Sequence, residues 1–379
     1  MSTPRTLWVT NDFPPRLGGI ETFVSELVSR LDPAGVRVLA AAAPGDAEHD
    51  ADLPFPVERI GRRPLLPTPA VTRRVRAAAA AHAADVVVFG ASWPLGELAG
   101  DLDVPTFALT HGHEAGMVRV GLGPLLRRVA RRVDGLGVIS RFTRAALEPW
   151  VAAHTAVYDL PPGVDTDRFH PGVDGSRIRE RLHLCPDDGL VVCVGRLVAR
   201  KGHDVLVDAW PRVRARHPGA HLLLCGGGPA GARLGRRAAA LGVEGAVTLA
   251  GPVGTPDLPA VHAAADVFAM PCRTRLGGLD VEGLGIVYLE AQATGTPVVA
   301  GRSGGAPETL VDGRTGLVVG GRAPAELADA LSALLGDGER RRAMGAAGRA
   351  FMEQRYAWPV IAERFRGILE TIAGARTHR

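Results

Sequence analysis

Lysine is all but missing from this 379-residue chain, whose 44 basic residues are 43 arginines and one lysine. Ammonium is a compact charge on a flexible stem, whereas guanidinium is a broad planar fork, so the two are not interchangeable. The single lysine, Lys201, stands in R-L-V-A-R-K-G-H-D, five residues after Arg196. A crowded phosphate site accepts the first cation and excludes the second. Cysteine is scarce as well: Cys185, Cys193, Cys225 and Cys272 lie far apart with no C-x-x-C spacing. That argues against a disulfide framework and against structural zinc. Aromatic residues are only 5% and do not interleave with the basic ones, which speaks against a stacking platform for single strands. A net charge of +4 permits an anionic partner but is too small to demand nucleic acid. No apolar run is long enough to span a membrane. The opening M-S-T-P-R-T-L-W-V-T-N-D lacks a basic stretch followed by a long apolar core, so it reads as a first strand and not a signal peptide. A cytoplasmic protein is expected.

What is present is an alternation of short β-branched runs with helical stretches rich in alanine and arginine, the pattern of parallel sheets crossed by helices. The fold class is α/β. Strands are expected at Thr6–Thr10, Val36–Ala41, Asp85–Phe89, Thr106–Thr110 and Gly135–Ile139. After a loop-like stretch from Pro161 they resume at Leu190–Val194, His221–Cys225, Ala246–Leu249, Val267–Met270, Pro297–Ala300 and Gly316–Val319. The chain therefore reads as two doubly wound halves, each long enough for its own core. Ligands in such folds bind outside the carboxyl ends of the strands, so the chemistry is expected in a cleft between the halves.

Several residues suit that chemistry. Gly18 and Gly19 open a helical pattern at Glu21–Leu31, where backbone amides can approach a phosphate, unless the pair merely makes a turn with positive φ. His111 and His113, in H-G-H-E, follow the strand ending at Thr110, which puts at least one imidazole at a strand end. Arg196 and Lys201 follow the strand Leu190–Val194 and enter a helix near His203, so both cations can converge on an anion. Glu282 and Glu290 are eight residues apart. If Gly283–Ile286 opens a helix, eight residues turn about 800° and the two carboxylates share one broad side. Gly226, Gly228 and Gly231 fit G-x-G-x-x-G, but they follow neither half's first strand and no acid lies near position 250, which argues against a dinucleotide site. The pairs Asp101/Asp103 and Asp165/Asp167 end no strand beside the other candidates, so no metal is expected.

Taken in order, the glycine turn at Gly18-Gly19, the histidine at His111 or His113, the R-x4-K pair and the E-x7-E pair resemble the retaining GT-B glycosyltransferases. The resemblance covers almost the whole chain and is thinnest between about Pro44 and Gly100. T-N-D-F-P-P-R-L-G-G-I-E, H-G-H-E and the run from Pro271 to Ala300 are similar to actinobacterial phosphatidylinositol mannoside mannosyltransferases. It implies two Rossmann-like domains facing each other across a cleft, an N-terminal one at 1–165 for the acceptor and a C-terminal one at 166–357 for the nucleotide sugar. A last helix at about 358–376 would return to the first. GDP-mannose would be the donor, used without cofactor or metal. By resemblance, Arg196 and Lys201 neutralise the departing diphosphate and Gly18-Gly19 lends an amide. Glu290 holds the ribose and Glu282 the donor sugar, helped by the backbone of Gly283, Leu284, Gly285, Ile286 and Val287. His111, slightly favoured over His113, stands near the reacting carbon.

An inositol-lipid acceptor at the inner face of the plasma membrane implies contact with an anionic surface. Two basic segments suit it: Arg73, Arg74 and Arg76 in T-R-R-V-R, and Arg127, Arg128, Arg131 and Arg132 in P-L-L-R-R-V-A-R-R-V. In the second, Leu125, Leu126, Val129 and Val133 form the opposite, apolar face. A surface helix with a solvated basic face is the equal alternative. Other readings also remain open: a transferase using another nucleotide sugar or a soluble acceptor, a sugar-binding protein without activity, and, more remotely, an NAD-dependent oxidoreductase.

Overall fold

In the computed structural model, runs of four to six residues rich in valine, leucine and alanine form the strands, and residues 3–16, 18–61 and 64–374 are described. The chain divides into two units, one built from the residues up to Pro162 with those from Pro359 onward, the other spanning Gly163–Trp358.

The first unit holds a seven-stranded parallel sheet of β1 (Thr6–Thr10), β2 (Val36–Ala41), β3 (Val57–Ile60), β4 (Val86–Phe89), β5 (Thr106–Leu109), β6 (Gly135–Val138) and β7 (Ala156–Asp159). Their order is β3-β2-β1-β4-β5-β6-β7, so the winding reverses between β1 and β4. Strand β1 is buried at all five positions, as expected for a central strand covered on both faces. The edge strands β3 (V-E-R-I) and β7 (A-V-Y-D) are not expected from the sequence, because edges need no continuous apolar run. Asp85, expected inside β4, instead stands before it and accepts a hydrogen bond from the Arg5 amide at 2.8 Å. Helix Trp358–Gly374 carries Phe365 against Trp8 and Phe107, with ring centroids 5.6 and 6.0 Å apart. Residues 375 and 376 of the expected helix lie outside the described residues.

The second unit holds six parallel strands: β8 (Leu190–Val194), β9 (His221–Cys225), β10 (Val247–Gly251), β11 (Val267–Met270), β12 (Val298–Gly301) and β13 (Gly316–Val319). Their order, β10-β9-β8-β11-β12-β13, places the reversal between β8 and β11. The segments leaving those two strands are the ones that carry Arg196, Lys201 and Glu282. A switch point is where a doubly wound sheet offers a crevice to a ligand. Buried Trp210, Phe268 and Tyr288 fill the core beneath it. Among the described residues, no helix is long and apolar enough to cross a membrane.

Candidate active site

After β8 the chain makes a short turn at Ala199–Lys201 and enters helix His203–Arg216. Lys201 Nζ lies 2.7 Å from Glu282 Oε2, with side chains 12% and 7% exposed. Arg200 Nε is 3.7 Å from the same oxygen. Burial alone would pull the Lys201 ammonium down, but the Glu282 carboxylate outweighs it and the lysine titrates above its ordinary value. Burial pushes Glu282 up, while Lys201 and Arg200 pull harder, so it titrates below the usual carboxylate range. The sequence reading grouped Lys201 with Arg196 and Glu282 with Glu290. The structure joins Lys201 to Glu282 directly, because the loops leaving β8 and β11 are neighbours. Arg196 is exposed and, among the described residues, its guanidinium has no ion-pair partner.

The loop bearing Arg196 is held by its neighbour after β9. Leu197 N donates to Gly227 O at 2.9 Å and Ala230 N to Leu197 O at 3.1 Å. A side chain at Gly226 would come within 2.0 Å of Gly195 O, and one at Gly228 within 2.7 Å of Leu197 O. The G-x-G-x-x-G match therefore serves the approach of two loops.

The geometry of the acidic pair also differs from expectation. The helix begins at Ile286, not Gly283, because Gly285 adopts φ 97° at its start. Glu282 lies outside the helix, four residues before its start, so the 800° rotation does not apply. Its backbone is tied instead: Glu282 N donates to Ser303 Oγ at 3.4 Å and Gly305 N to Glu282 O at 3.0 Å. The Cys272 thiol donates to Glu282 Oε2 at 3.5 Å. Burial pushes that thiol up to about 12, so it remains a donor at neutral pH. Between the acids, Leu284 is buried, while Gly283, Ile286 and Val287 are half-buried. The amides of Ile286 and Val287, in the first turn, have no acceptor within the helix. Glu290 emerges from its fifth residue, with Oε2 3.3 Å from His262 Nε2. Cys272, Ser303 and His262 were not legible as site residues, since each is an isolated small or aromatic side chain in an ordinary core segment.

In the first unit, helix Gly19–Val28 follows β1. Gly18 precedes it with φ 172°, extended backbone, so the alternative of a positive-φ turn does not hold at that position. Leu17, in the same stretch, lies outside the described residues. His111 sits two residues beyond β5 with Nε2 2.6 Å from Gly90 O, which fixes the proton on Nε2 and leaves Nδ1 as the open lone pair. Burial lowers the His111 pKa, and the Glu114 carboxylate only partly opposes this. His113 is exposed and stacks on His111 at 6.3 Å. Glu114 was read only as part of H-G-H-E, yet it is wholly buried, accepting from the His111 amide at 3.0 Å and from Ser92 Oγ at 3.1 Å. A carboxylate beside two histidines at a strand end was the available signal.

The basic segments are less free than their periodicity suggested. Arg74 pairs with Glu58 and Arg76 donates to Asp101 O, both at 2.5 Å. Arg128 pairs with buried Glu97 at 2.6 Å, and Arg132 donates to Glu97 O at 2.7 Å. Arg127 lies over the Trp150 ring at 5.0 Å. Only Arg73 and Arg131 have no side-chain partner among the described residues. All four arginines of the second segment are exposed, as a solvated basic face requires, but Glu97 ties two of them by charge and hydrogen bond, so they are not four free cations. They line a groove of about 430 Å³ with Pro124 and Trp150. Arg76 and Arg132 flank the same turn, Leu95–Asp101, which brings the two segments together. Of the aspartate pairs, Asp165 Oδ1 accepts the amides of Asp167 and Arg168 at 3.0 Å, a local turn.

The family described as Glycosyl transferases group 1 matches residues 175–351, and Glycosyltransferase Family 4 matches residues 17–168. The chain is 45% identical, over 98% of its length and 100% of the relative's, to the GDP-mannose-dependent alpha-(1-6)-phosphatidylinositol monomannoside mannosyltransferase of Mycobacterium tuberculosis. It is 42% identical, over 97% and 98%, to the monoacylated alpha-(1-6)-phosphatidylinositol monomannoside mannosyltransferase of Corynebacterium glutamicum, which is also GDP-mannose-dependent. The sucrose-phosphate synthase of Thermosynechococcus elongatus superposes with TM-score 0.80 at 22% identity, over 98% of this chain and all of that one, a likeness of fold. Identity at this level over nearly the whole chain, with one family match in each of the two units, settles the membership: the chain belongs to the GT-B glycosyltransferases of family 4, and it is a glycosyltransferase.

Proposed function

We propose that this protein transfers mannose from GDP-mannose to a phosphatidylinositol monomannoside. The observation that carries the reading is the 45% identity over nearly the full length of a mannosyltransferase so named. Arg196 and Lys201 neutralise the departing diphosphate, an electrostatic contribution that replaces a metal ion. The Gly19 amide adds to it. Glu290 takes the ribose hydroxyls, and Glu282 takes hydroxyls of the mannose with the amides of residues 283–287. To His111, whose ring burial keeps neutral, falls the role of facing the charge that develops at the anomeric carbon. The acceptor hydroxyl oxygen bonds to that carbon from the face the leaving group departs. The bond to the diphosphate oxygen breaks with its electron pair, and that oxygen accepts the hydroxyl proton, so configuration is retained.

A thermal-shift panel of GDP, UDP, ADP and NAD in EDTA tests the donor. GDP should stabilise the fold by about 2.7 kcal/mol at a hundred times its dissociation constant, and the others far less. A shift with UDP alone, or loss of the GDP shift in EDTA, would overturn the donor or the metal-free reading.

The acceptor is a lipid, met at the cytoplasmic face of the membrane by the arginine-lined groove. Arg73 and Arg131 are the side chains to test, since neither holds the fold. With each arginine contributing about 1 kcal/mol near anionic headgroups, R73Q/R131Q should bind anionic liposomes about thirtyfold more weakly in low salt. GDP binding should not change. Equal liposome binding by variant and parent sinks the membrane reading.

A further inference from the structure

His262 belongs to helix Leu258–Ala263 and is wholly buried. Its ring is wedged between Phe169 and Phe268, with centroids 5.9 and 5.3 Å away. Its carbonyl accepts from Thr296 Oγ1 at 2.9 Å, fixing the backbone beneath it. Nδ1 has no hydrogen-bond partner among the described residues, whereas Nε2 is 3.3 Å from Glu290 Oε2. A buried N–H without an acceptor is costly, so the proton sits on Nε2 and is donated to the carboxylate. Among the described residues this is the only hydrogen bond to the Glu290 side chain, and it leaves Oε1 open. A glutamate has three rotatable side-chain torsions, and an untethered one must give up rotamer freedom each time it grips a ligand.

We infer that His262 is the positioning residue that presents the Glu290 carboxylate to the vicinal hydroxyls of the donor's ribose. This rests on the proposed ribose role of Glu290. The aromatic walls prevent the ring from swinging, so one oxygen of Glu290 is anchored before the nucleotide arrives. The gain is preorganisation, and it appears in donor binding and in KM more than in kcat, because ribose contacts are the same in ground and transition states.

The test is calorimetric binding of GDP and of its 2′,3′-dideoxy analogue to the full chain, compared among the parent, H262L, H262Q and E290A. Glutamine places an amide N–H at about the reach of Nε2, whereas leucine places none. H262L should weaken GDP binding about tenfold and leave the dideoxy analogue unchanged, so that the preference for the ribose diol falls. H262Q should restore most of that preference, and E290A should abolish it. If E290A loses the preference and H262L keeps it, the positioning role is wrong and the ribose reading stands. If E290A also keeps it, the ribose reading falls and the inference with it. Equal weakening of both ligands by H262L overturns the inference in favour of general damage. Should H262L not fold, H262N replaces it: its amide is too short to reach Glu290, so binding like H262Q would be equally fatal.

Discussion

Lys201→Ala should lower the unfolding free energy by about 3 kcal/mol, because it leaves the buried Glu282 carboxylate without its 2.7 Å partner. Arg200, 3.7 Å away, keeps the cost at the lower end of that range. Donor turnover should fall at least about a hundredfold, the scale of losing one charged group at a developing oxyanion. Lys201→Arg separates the two effects. Charge is kept, so much of the stability returns, but the planar fork replaces a slim stem that runs beside Gly195. Turnover should stay low. A K201M/E282L double variant, with the ion pair replaced by apolar groups, should regain stability over K201A while remaining inactive. Wild-type turnover in K201R would remove the lysine from the site.

The same pair sets a pH signature. Glu282 titrates below its unfolded value, so its contribution is complete above about pH 4.3 and is lost as pH falls through the folded value. Lys201 titrates above its unfolded value, so its contribution is complete below about pH 10.4 and is lost as pH rises through the folded value. Chemical denaturation of parent and K201M/E282L should give a constant stability difference between those limits. Beyond either limit the parent should lose ground.

The central strands were legible because a strand covered on both faces must be apolar at its centre, as L-W-V in β1 and L-V-V-C-V in β8 are. β3 and β7 were not, since an edge with Glu58 or Asp159 in it carries no such signal. The spacing R-x4-K and E-x7-E drew attention to the loops after β8 and β11, but neither count shows which charges touch. Lys201 meets Glu282 because β8 and β11 are neighbours across a reversal of strand order, a property of the whole sheet. The rotation expected between Glu282 and Glu290 does not apply because Gly285 delays the helix to Ile286, and no pattern of apolar residues reports a single positive φ. The arginine segment had the periodicity of a surface helix, and the acid that binds two of its members lies 31 residues from Arg128.

Replacing His111 by alanine should lower turnover about a hundredfold, within the usual range for a side chain acting on the reacting group, while His113→Ala should leave it nearly unchanged. The difference follows from how the two rings are held. His111 is pinned at Nε2 by the Gly90 carbonyl, packs edge-on against Phe23 at 6.0 Å, and receives the Glu114 carboxylate at its amide. His113 is about half exposed, with Nε2 3.6 Å from Glu114 and its ring on that of His111, and among the described residues its side chain makes no hydrogen bond. Burial keeps the His111 ring neutral, and the Gly90 contact leaves Nδ1 as the lone pair able to face positive charge developing on the sugar. Protonation would turn that partner into a repelling one. Activity should therefore hold as pH falls through 6.5 and decline only below it, at the lowered pKa of this ring. Glu114 is one of the groups that raise that pKa, so Glu114→Gln should move the acid limb further down, not up. An acid limb above 6.5 would overturn the His111 assignment, and an equal loss in His113→Ala would give the role to the exposed ring.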